Sequence, residues 1–222
     1  MAQKAGTALK AKNASESTCT DRRYLRSRKM IYTALASLIE ERGVDGFTVG
    51  DLSERADLNR STFYSHFKDK DDVICRYEDE FLAELSQVEA TLAEVTPEQL
   101  ADAILEFEPL PTLVGLFDFL REHGTMLRAL LGPKGDIAFQ HRLMDTLCDT
   151  LMSCVLDPKY TRDKSLIVDY YVSYFTSAAL GVVGRWLGGG MRESSKEMAI
   201  ILMRVSFLRP GDPIDTGGLE ND

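Results

Sequence analysis

The chain has 222 residues, of which 44% are hydrophobic and 27% are charged, an ordinary balance for a folded protein of one or two domains. The sequence contains no apolar run of the roughly 18 residues that a membrane span needs, and its start lacks the apolar stretch of a secretory signal. We therefore expect a cytoplasmic protein without a membrane partner. The net charge of −9 is uneven, with +3 on residues 1–76 and −12 on the rest, so a nucleic-acid partner for the basic end is not excluded.

No pattern typical of an enzyme or of a metal site occurs in the sequence. The four cysteines form no C-x-x-C pair, and the spacing favours free, reduced thiols. None of the three histidines lies beside a nucleophile elbow, a zinc-protease motif or a phosphate-binding loop. We therefore expect no enzymatic activity, no metal and no cofactor.

The N-terminal part begins with an aperiodic segment and continues as a helix. Residues 1–22 are rich in Ala, Lys, Ser and Thr, which predicts a flexible arm. From Tyr24 onward, apolar residues recur at intervals of three and four, which predicts a helix. Gly43 should end this helix near Arg42.

Two short helices and a longer one are predicted next. Thr48 is a good N-cap for the segment VGDLSERA, and Asn59 is a good N-cap for a helix over residues 60–67. A helix of about five turns then begins near Lys70. Two short helices joined by a tight turn and flanked by longer helices indicate a helix-turn-helix.

Beyond residue 92 every periodic segment remains helical, and proline and glycine residues separate the segments. The fold class is therefore all-α, with a helix-turn-helix domain over residues 23–70 and a larger helical domain over residues 71–208. The Pro-, Gly- and Asp-rich residues 209–222 predict a disordered tail. The predicted later helices span 97–107, 111–122, 124–131, 136–156, 163–187 and 195–208.

The helix over residues 60–67 has one apolar side and one polar side. Phe63 and Phe67 lie four residues apart and define the buried side. Short side chains let a helix backbone approach base edges in the DNA major groove, while longer polar ones reach phosphates. A solvated surface helix is the alternative, but it would more naturally carry Glu and Lys, and residues 59–67 contain no acid. The polar side carries Ser61, Thr62 and Ser65 at its centre, with Arg60 and Tyr64 at its edges.

One stretch resembles the DNA-binding signature of the TetR family of bacterial transcriptional regulators: FTVGDLSERADLNRSTFYSHFKDKDDVI. A Firmicutes-type subgroup that includes regulators of dihydroxyacetone kinase operons is similar in the form RSTFY-x-HF-x-DK and in the late segment YYVSYFTSAALGVVGRWLGGGMRESSKEMAIIL. Two positions depart from the family pattern: Asp57 stands where a turn glycine is usual, and Ser53 where alanine is usual. We expect Asp57 to keep the turn, because Asp tolerates left-handed backbone better than most residues.

The resemblance implies which residues contact an operator. In this family the contacts come from the start of the second helix, from the recognition helix and from the lysine that opens the fourth helix. His66 could instead be a half-buried packing residue, and the sequence leaves both roles open. The implied contacts are Thr48, Asn59, Arg60, Ser61, Thr62, Tyr64, Ser65, His66 and Lys70.

The last two predicted helices indicate how the chain assembles. The segment from Leu166 to Leu187 is apolar around most of its circumference, with Gly181 and Gly184 forming a notch of small residues. A helix that is apolar all round is buried on more than one side. A central core helix would explain this pattern, but the resemblance implies a homodimer held by a four-helix bundle of residues 163–187 and 195–208.

The resemblance also implies a small-molecule effector, whose identity the sequence does not contain. Amphipathic aromatic side chains can line such a site, although core packing explains them equally well. An acidic body with clustered aromatics favours an apolar or aromatic effector, which could carry a hydroxyl or a cationic group. The candidate ligand-binding residues are Phe107, Phe117, Tyr171 and Tyr174.

Two functions of different classes are consistent with these patterns. The favoured hypothesis is a dimeric, sequence-specific DNA-binding regulator, a repressor, that a small molecule releases or modulates. The alternative is a helical coactivator or sensor protein with the same fold that does not bind an operator by itself. The polar face of the helix over residues 60–67, together with Lys70, favours the first hypothesis.

Overall fold

The computed structural model describes residues 23–106, 108–152 and 166–207. Within these ranges all regular elements are helical, as the all-α prediction required, and none of the described helices is long and apolar enough to cross a membrane. The helices are α1 over residues 23–42, α2 Val49–Arg55, α3 Arg60–His66, α4 Lys70–Leu92, α5 Pro97–Glu106, α6 Pro111–Glu122, α7 Gly124–Leu130, α8 Ile137–Thr150, α9 Leu166–Gly188 and α10 Ser195–Phe207.

The chain forms two compact units that meet in sequence inside α4. The first unit extends to Tyr77 and the second begins at Glu78, so α4 contributes to both. The predicted arm of residues 1–22 and the predicted tail of residues 209–222 lie outside the described residues. The domain boundary predicted at residue 70 stays a prediction.

The core of the first unit is built around α1, whose apolar residues share one side. Ile31, Leu35 and Ile39 follow at four-residue intervals and are fully buried together with Phe63 of α3. Gly43 ends α1 as predicted, because its φ of 81° lies in the left-handed region that glycine adopts without a steric penalty. Its N–H donates to the carbonyl of Ile39 at 2.8 Å.

The turn between α2 and α3 uses a left-handed residue that is not glycine. Asp57 has a φ of 53°, so the expectation that Asp would keep this turn is confirmed. The N–H of Leu58 donates to the carbonyl of Ser53 at 2.9 Å, which closes the end of α2 in the manner of a Schellman motif.

Ion pairs on the surface join α1 to α2. Arg55 donates two hydrogen bonds to the carboxylate of Glu41, at 2.7 and 2.8 Å, and a third to Ser37. The hydrogen bonds from Arg55 lower the pKa of Glu41 to about 2. Because these groups are exposed, we expect them to orient α2 more than to stabilise the fold.

The second unit is a bundle in which α6 packs against α10, while α9 packs against α7 and α8. Its core includes Phe117 and Trp186, whose rings meet edge to face with 5.4 Å between the ring centroids. The predicted bounds of α6 agree with the structure, and α7 ends one residue earlier than predicted. The last predicted residues of α5 and α10, 107 and 208, lie outside the described residues. Part of the predicted ends of α8 and α9 falls in residues 153–165, outside the described residues.

Candidate nucleic-acid interface and ligand cavity

Asn59 and two phenylalanines hold α3 in place. The Asn59 side-chain oxygen accepts from the backbone N–H of Thr62 and from the hydroxyl of Ser61, both at 2.7 Å, so it caps the helix. Phe63 and Phe67 are buried, as the spacing predicted. Their burial leaves the opposite side of α3 facing outward.

The outward side of α3 carries short polar side chains between two longer ones. Ser61 and Ser65 are exposed and Thr62 is half-buried. The hydroxyl of Ser65 donates to the carbonyl of Thr62 at 2.7 Å, which keeps it close to the helix surface. Arg60 and the 58% exposed Tyr64 flank this centre. This surface can approach a polar groove closely and offers hydroxyl and guanidinium donors at its edges.

His66 lies on the packed side of α3 instead. Its side chain is buried, and its ring stacks on Tyr24 with 4.1 Å between ring centroids. Burial and the nearby Arg28 charge lower the pKa of His66. Between the two roles that the sequence left open, this geometry favours packing over a charged contact with phosphate.

Thr48 forms a capping box at the start of α2. Its hydroxyl accepts from the N–H of Asp51 at 3.2 Å, and its own N–H donates to the Asp51 carboxylate at 2.8 Å. Hydrogen bonds from the Thr48 side chain and backbone, followed by one from Arg42, lower the pKa of Asp51 to about 2. Thr48 is exposed, but its main role in this structure is to fix the first turn of α2.

Lys70 is held against the loop that joins α1 to α2. Its ammonium donates to the carbonyl of Val44 at 2.8 Å, lies 3.7 Å from the carboxylate of Asp45 and sits over the ring of Phe47. Only 18% of its side chain is exposed. An ammonium has three donors, so the bond to Val44 leaves others for a further acceptor.

Gly50 is a residue of this surface that the sequence reasoning missed. A Cβ at this position would lie 2.7 Å from Nη2 of Arg60, so the absence of a side chain lets the guanidinium rest against α2. A glycine inside the first turn of a predicted helix was the available signal, because glycine is unfavourable there unless something approaches closely.

The second unit contains a cavity of about 380 Å³ between α4, α6, α8, α9 and α10. Apolar side chains form most of its wall, and four buried or half-buried polar groups interrupt it: Glu89, Thr150, Thr176 and Ser206. The wall includes Leu92, Leu110, Leu113, Leu147, Phe175 and Met203.

The structure places the aromatic candidates for ligand binding away from this cavity. Phe117 lies in the core against Trp186, while Tyr171 and Tyr174 are exposed on α9. None of these three lines the cavity, and Phe107 lies outside the described residues. The ligand-binding roles assigned from the sequence therefore stay predictions without support from the cavity.

Glu89 is an ionisable cavity residue that the sequence reasoning missed. Tyr77, Phe81, Leu85 and Glu89 follow at four-residue intervals along α4, and all four are buried. The apolar row therefore continues into an acidic residue. A carboxylate at the next position of a buried row was the signal that could have identified it.

Two family models match the chain. The model described as bacterial regulatory proteins of the tetR family matches residues 31–75, which include α2 and α3. The model described as a transcriptional regulator C-terminal region, TetR_C_8, matches residues 108–207. Together the matches cover well over half of the chain. No curated protein matches it.

Solved structures of regulators share the fold at low sequence identity. A protein described as a TetR-family transcriptional regulator from Syntrophomonas wolfei is 16% identical, with a TM-score of 0.54 over 81% of this chain and 92% of that one. SmeT, the repressor of a Stenotrophomonas maltophilia multidrug efflux pump, is 15% identical, with a TM-score of 0.53 over 81% and 87%. FadR from Bacillus subtilis, in complex with stearoyl-CoA, is 15% identical, with a TM-score of 0.51 over 80% and 96%.

The two model matches agree with the structure and with the sequence motif. The match over residues 31–75 contains the capped helices α2 and α3, and the match over residues 108–207 contains α6 to α10. The family resemblance inferred from the motif is therefore confirmed. The chain belongs to the TetR family of bacterial regulatory proteins, whose members are DNA-binding transcriptional regulators and not enzymes.

Proposed function

We propose that this regulator is a cytoplasmic homodimeric repressor that binds a double-stranded DNA operator and is released by a small-molecule effector. The observation that carries the proposal is the outward side of α3, where short polar side chains lie between Arg60 and Tyr64 on a helix fixed by its cap and by Phe63. A rigid helix with such a surface fits the DNA major groove.

In the proposed complex, α3 reads the operator and its surroundings bind phosphates. Ser61, Thr62 and Ser65 approach base edges, while Arg60 and Tyr64 reach the backbone. The first turn of α2 at Thr48 and the first turn of α3 at Asn59 present backbone N–H groups to phosphates. Lys70 contributes a charge, and the buried His66 orients α3 from behind.

The proposed dimer is held by a four-helix bundle of α9 and α10 from each copy, and the outward side of α9 supplies exposed apolar residues to its interface. Ile167, Tyr170 and Tyr174 are exposed apolar or aromatic residues on this side. Farther along it, a Cβ added to Gly181 or Gly184 would meet nothing within 4 Å. Large apolar side chains followed by small residues suit close packing against the same helix of a second copy, and exposed apolar patches of this kind mark interfaces.

The proposed effector site is the cavity of the second unit, whose apolar wall and volume suit a small organic molecule. We also propose that the protein is related to the Firmicutes-type subgroup that includes regulators of dihydroxyacetone kinase operons. This part rests on the form RSTFY-x-HF-x-DK and on the late segment that begins at Tyr170.

A mobility-shift assay with the DNA upstream of the protein's own coding region tests operator binding. We expect a sequence-specific complex, and we expect Tyr64→Phe to weaken it by removing a phosphate contact without lowering thermal stability. Ser86→Ala is the control, because Ser86 is exposed, also loses one hydroxyl and lies on α4 in the second unit, off the proposed dimer interface. A folded protein that forms no specific complex with this DNA would favour the coactivator function instead.

A further inference from the structure

We propose that the effector is an apolar molecule carrying a protonated amine, and that the amine pairs with the carboxylate of Glu89 inside the cavity of the second unit. The role of this molecule as effector rests on the proposed function. Its binding rests only on the cavity, so separate experiments test the two.

The wall of the cavity selects for an apolar body. Leu92, Leu113, Leu147 and Phe175 line it, and Met203 adds an adaptable thioether side chain. A volume of about 380 Å³ accommodates a phenyl or short alkyl group with a polar end. Removing such a group from water is favourable in proportion to the apolar area buried.

Among the described residues of this wall, Glu89 supplies the only carboxylate. It projects from α4, is only 4% exposed, and its Oε2 accepts a hydrogen bond from the hydroxyl of Thr150 at 2.7 Å. In the described ranges no Lys, Arg or His forms an ion pair with Glu89. Glu78, the other buried glutamate of α4, has Arg142 at 3.0 Å.

A buried carboxylate without a cationic partner is unfavourable when ionised. Burial raises the pKa of Glu89, and only the hydrogen bond from Thr150 opposes this rise. An ammonium group on a ligand provides both the missing positive charge and hydrogen-bond donors. A ligand carboxylate would add a second negative charge, and a neutral hydroxyl could donate a hydrogen bond without compensating the charge.

This pairing makes binding depend on pH in a defined direction. In the empty cavity the raised pKa extends the pH range over which Glu89 is protonated, whereas the ion pair needs the carboxylate. At a pH near or below that pKa, binding of an amine therefore releases a proton from Glu89. Affinity for the amine should rise as the pH increases through the pKa of Glu89 and should fall below it, until at high pH the amine loses its own proton.

The test is a calorimetric titration of the full chain with 4-phenylbutylamine, 4-phenylbutanol and 4-phenylbutanoate, which share one apolar body. We expect the amine to bind about 10- to 100-fold more tightly than either of the others, as a charge-assisted hydrogen bond implies. Titrations in buffers of different ionisation enthalpy should show a proton released only with the amine.

Two variants make the test specific. Glu89→Gln should abolish the preference for the amine and its proton release while retaining binding of the alcohol. Glu94→Gln removes the same charge from an exposed residue just beyond α4. It should leave the preference for the amine and the proton release unchanged. If Glu89→Gln fails to fold, proton release by the unmodified protein still decides the assignment.

The proposal is overturned if the amine binds no more tightly than the alcohol, if none of the three compounds binds, or if the unmodified protein releases no proton across the pH range. The operator assay separates this result from the proposed function. Specific DNA binding without amine binding contradicts the ligand assignment alone. Amine binding without specific DNA binding contradicts the repressor function and leaves the cavity assignment standing.

Discussion

Lys70 shows how one residue can have a structural role and a proposed phosphate contact together. Its ammonium donates to the carbonyl of Val44, a residue 26 positions earlier, and part of its donor capacity remains. Because the bond to Val44 already orders the Lys70 side chain, a phosphate contact would cost little further side-chain entropy. The two roles predict different effects when the residue is removed.

Lys70→Ala should weaken binding to specific and random DNA alike. It should also reduce the slope of log affinity against log salt concentration by about one unit, because a phosphate contact releases counterions whatever the DNA sequence. It should also lower the free energy of unfolding by about 1 kcal/mol, since the Val44 carbonyl loses its donor. Fluorescence anisotropy over a series of salt concentrations and urea denaturation measure the two effects. A stability loss with an unchanged salt slope would leave Lys70 only its structural role.

Glu78 is a buried acid whose ionisation changes near neutral pH. Burial, followed by the negative charge of Asp136, raises its pKa to about 7, and Arg142 opposes the rise. Its Oε2 accepts from Arg142 at 3.0 Å, while its Oε1 is buried without a hydrogen-bond partner among the described residues. The folded state therefore holds the proton more tightly than the unfolded state, whose carboxyl has a pKa of 4.5.

Stability contributed by protonated Glu78 should be fully present below pH 4.5 and should be lost as the pH rises through about 7. The glutamine in Glu78→Gln cannot ionise. Between pH 4.5 and about 7, the free energy of unfolding of the unmodified protein should therefore fall by about 1–3 kcal/mol relative to this variant. Urea denaturation of both proteins at several pH values gives the difference. Parallel stability curves would show that Glu78 does not titrate as its burial requires.

At the scale of the element, α3 combines a packed side with a proposed reading side. Phe63 is fully buried and meets Phe67 and Tyr64 at ring-centroid distances of 6.0 and 5.4 Å. Ser61, Thr62 and Ser65, at the centre of the outward side, take no part in these ring contacts. Changes on the two sides of one short helix should therefore be separable by experiment.

Phe63→Ala should destabilise the first unit by about 3–5 kcal/mol, because it leaves a cavity among buried rings. Thr62→Ala should instead leave stability nearly unchanged and alter which operator is preferred, by about 1–3 kcal/mol at the affected base pair. Thermal denaturation and binding to a set of operator variants distinguish these outcomes. A Thr62→Ala protein with normal operator preference would place base recognition outside the centre of α3.

At the scale of the whole molecule, assembly depends on a face that one chain leaves uncovered. The outward side of α9 holds exposed tyrosines and glycines, although its opposite side contributes the buried Val172, Val183 and Trp186 to the core. A helix that packs inside its own chain and still exposes aromatic rings is typical of an oligomer interface. A two-fold dimer would also set the spacing of two recognition helices.

Tyr174→Glu should convert the dimer into monomers, because it introduces a charge at the centre of the proposed interface. Leu105→Glu on α5 is the matched control: Leu105 is 76% exposed and Tyr174 is 73% exposed, but Leu105 lies off the proposed interface. Sedimentation at micromolar concentration measures the state of each protein. An unmodified protein that is already monomeric would contradict the interface and the operator geometry built on it.

The sequence by itself determined the helices, the caps and the two sides of α3. Spacing of apolar residues, the N-caps Thr48 and Asn59, and the helix-ending Gly43 are local features. They act between residues within a few positions of each other, so the sequence contains them directly. The TetR motif is local in the same sense, and it identified the family.

Only the tertiary structure decided which partners the isolated polar and aromatic residues have. It placed the Lys70 ammonium on Val44, buried His66 against Tyr24 and left Glu89 in an apolar cavity without a cation among the described residues. It also put Phe117 in the core while the tyrosines of α9 stayed exposed. The physical reason is that burial and electrostatic environment depend on which helices face each other, and residues far apart in sequence determine that packing.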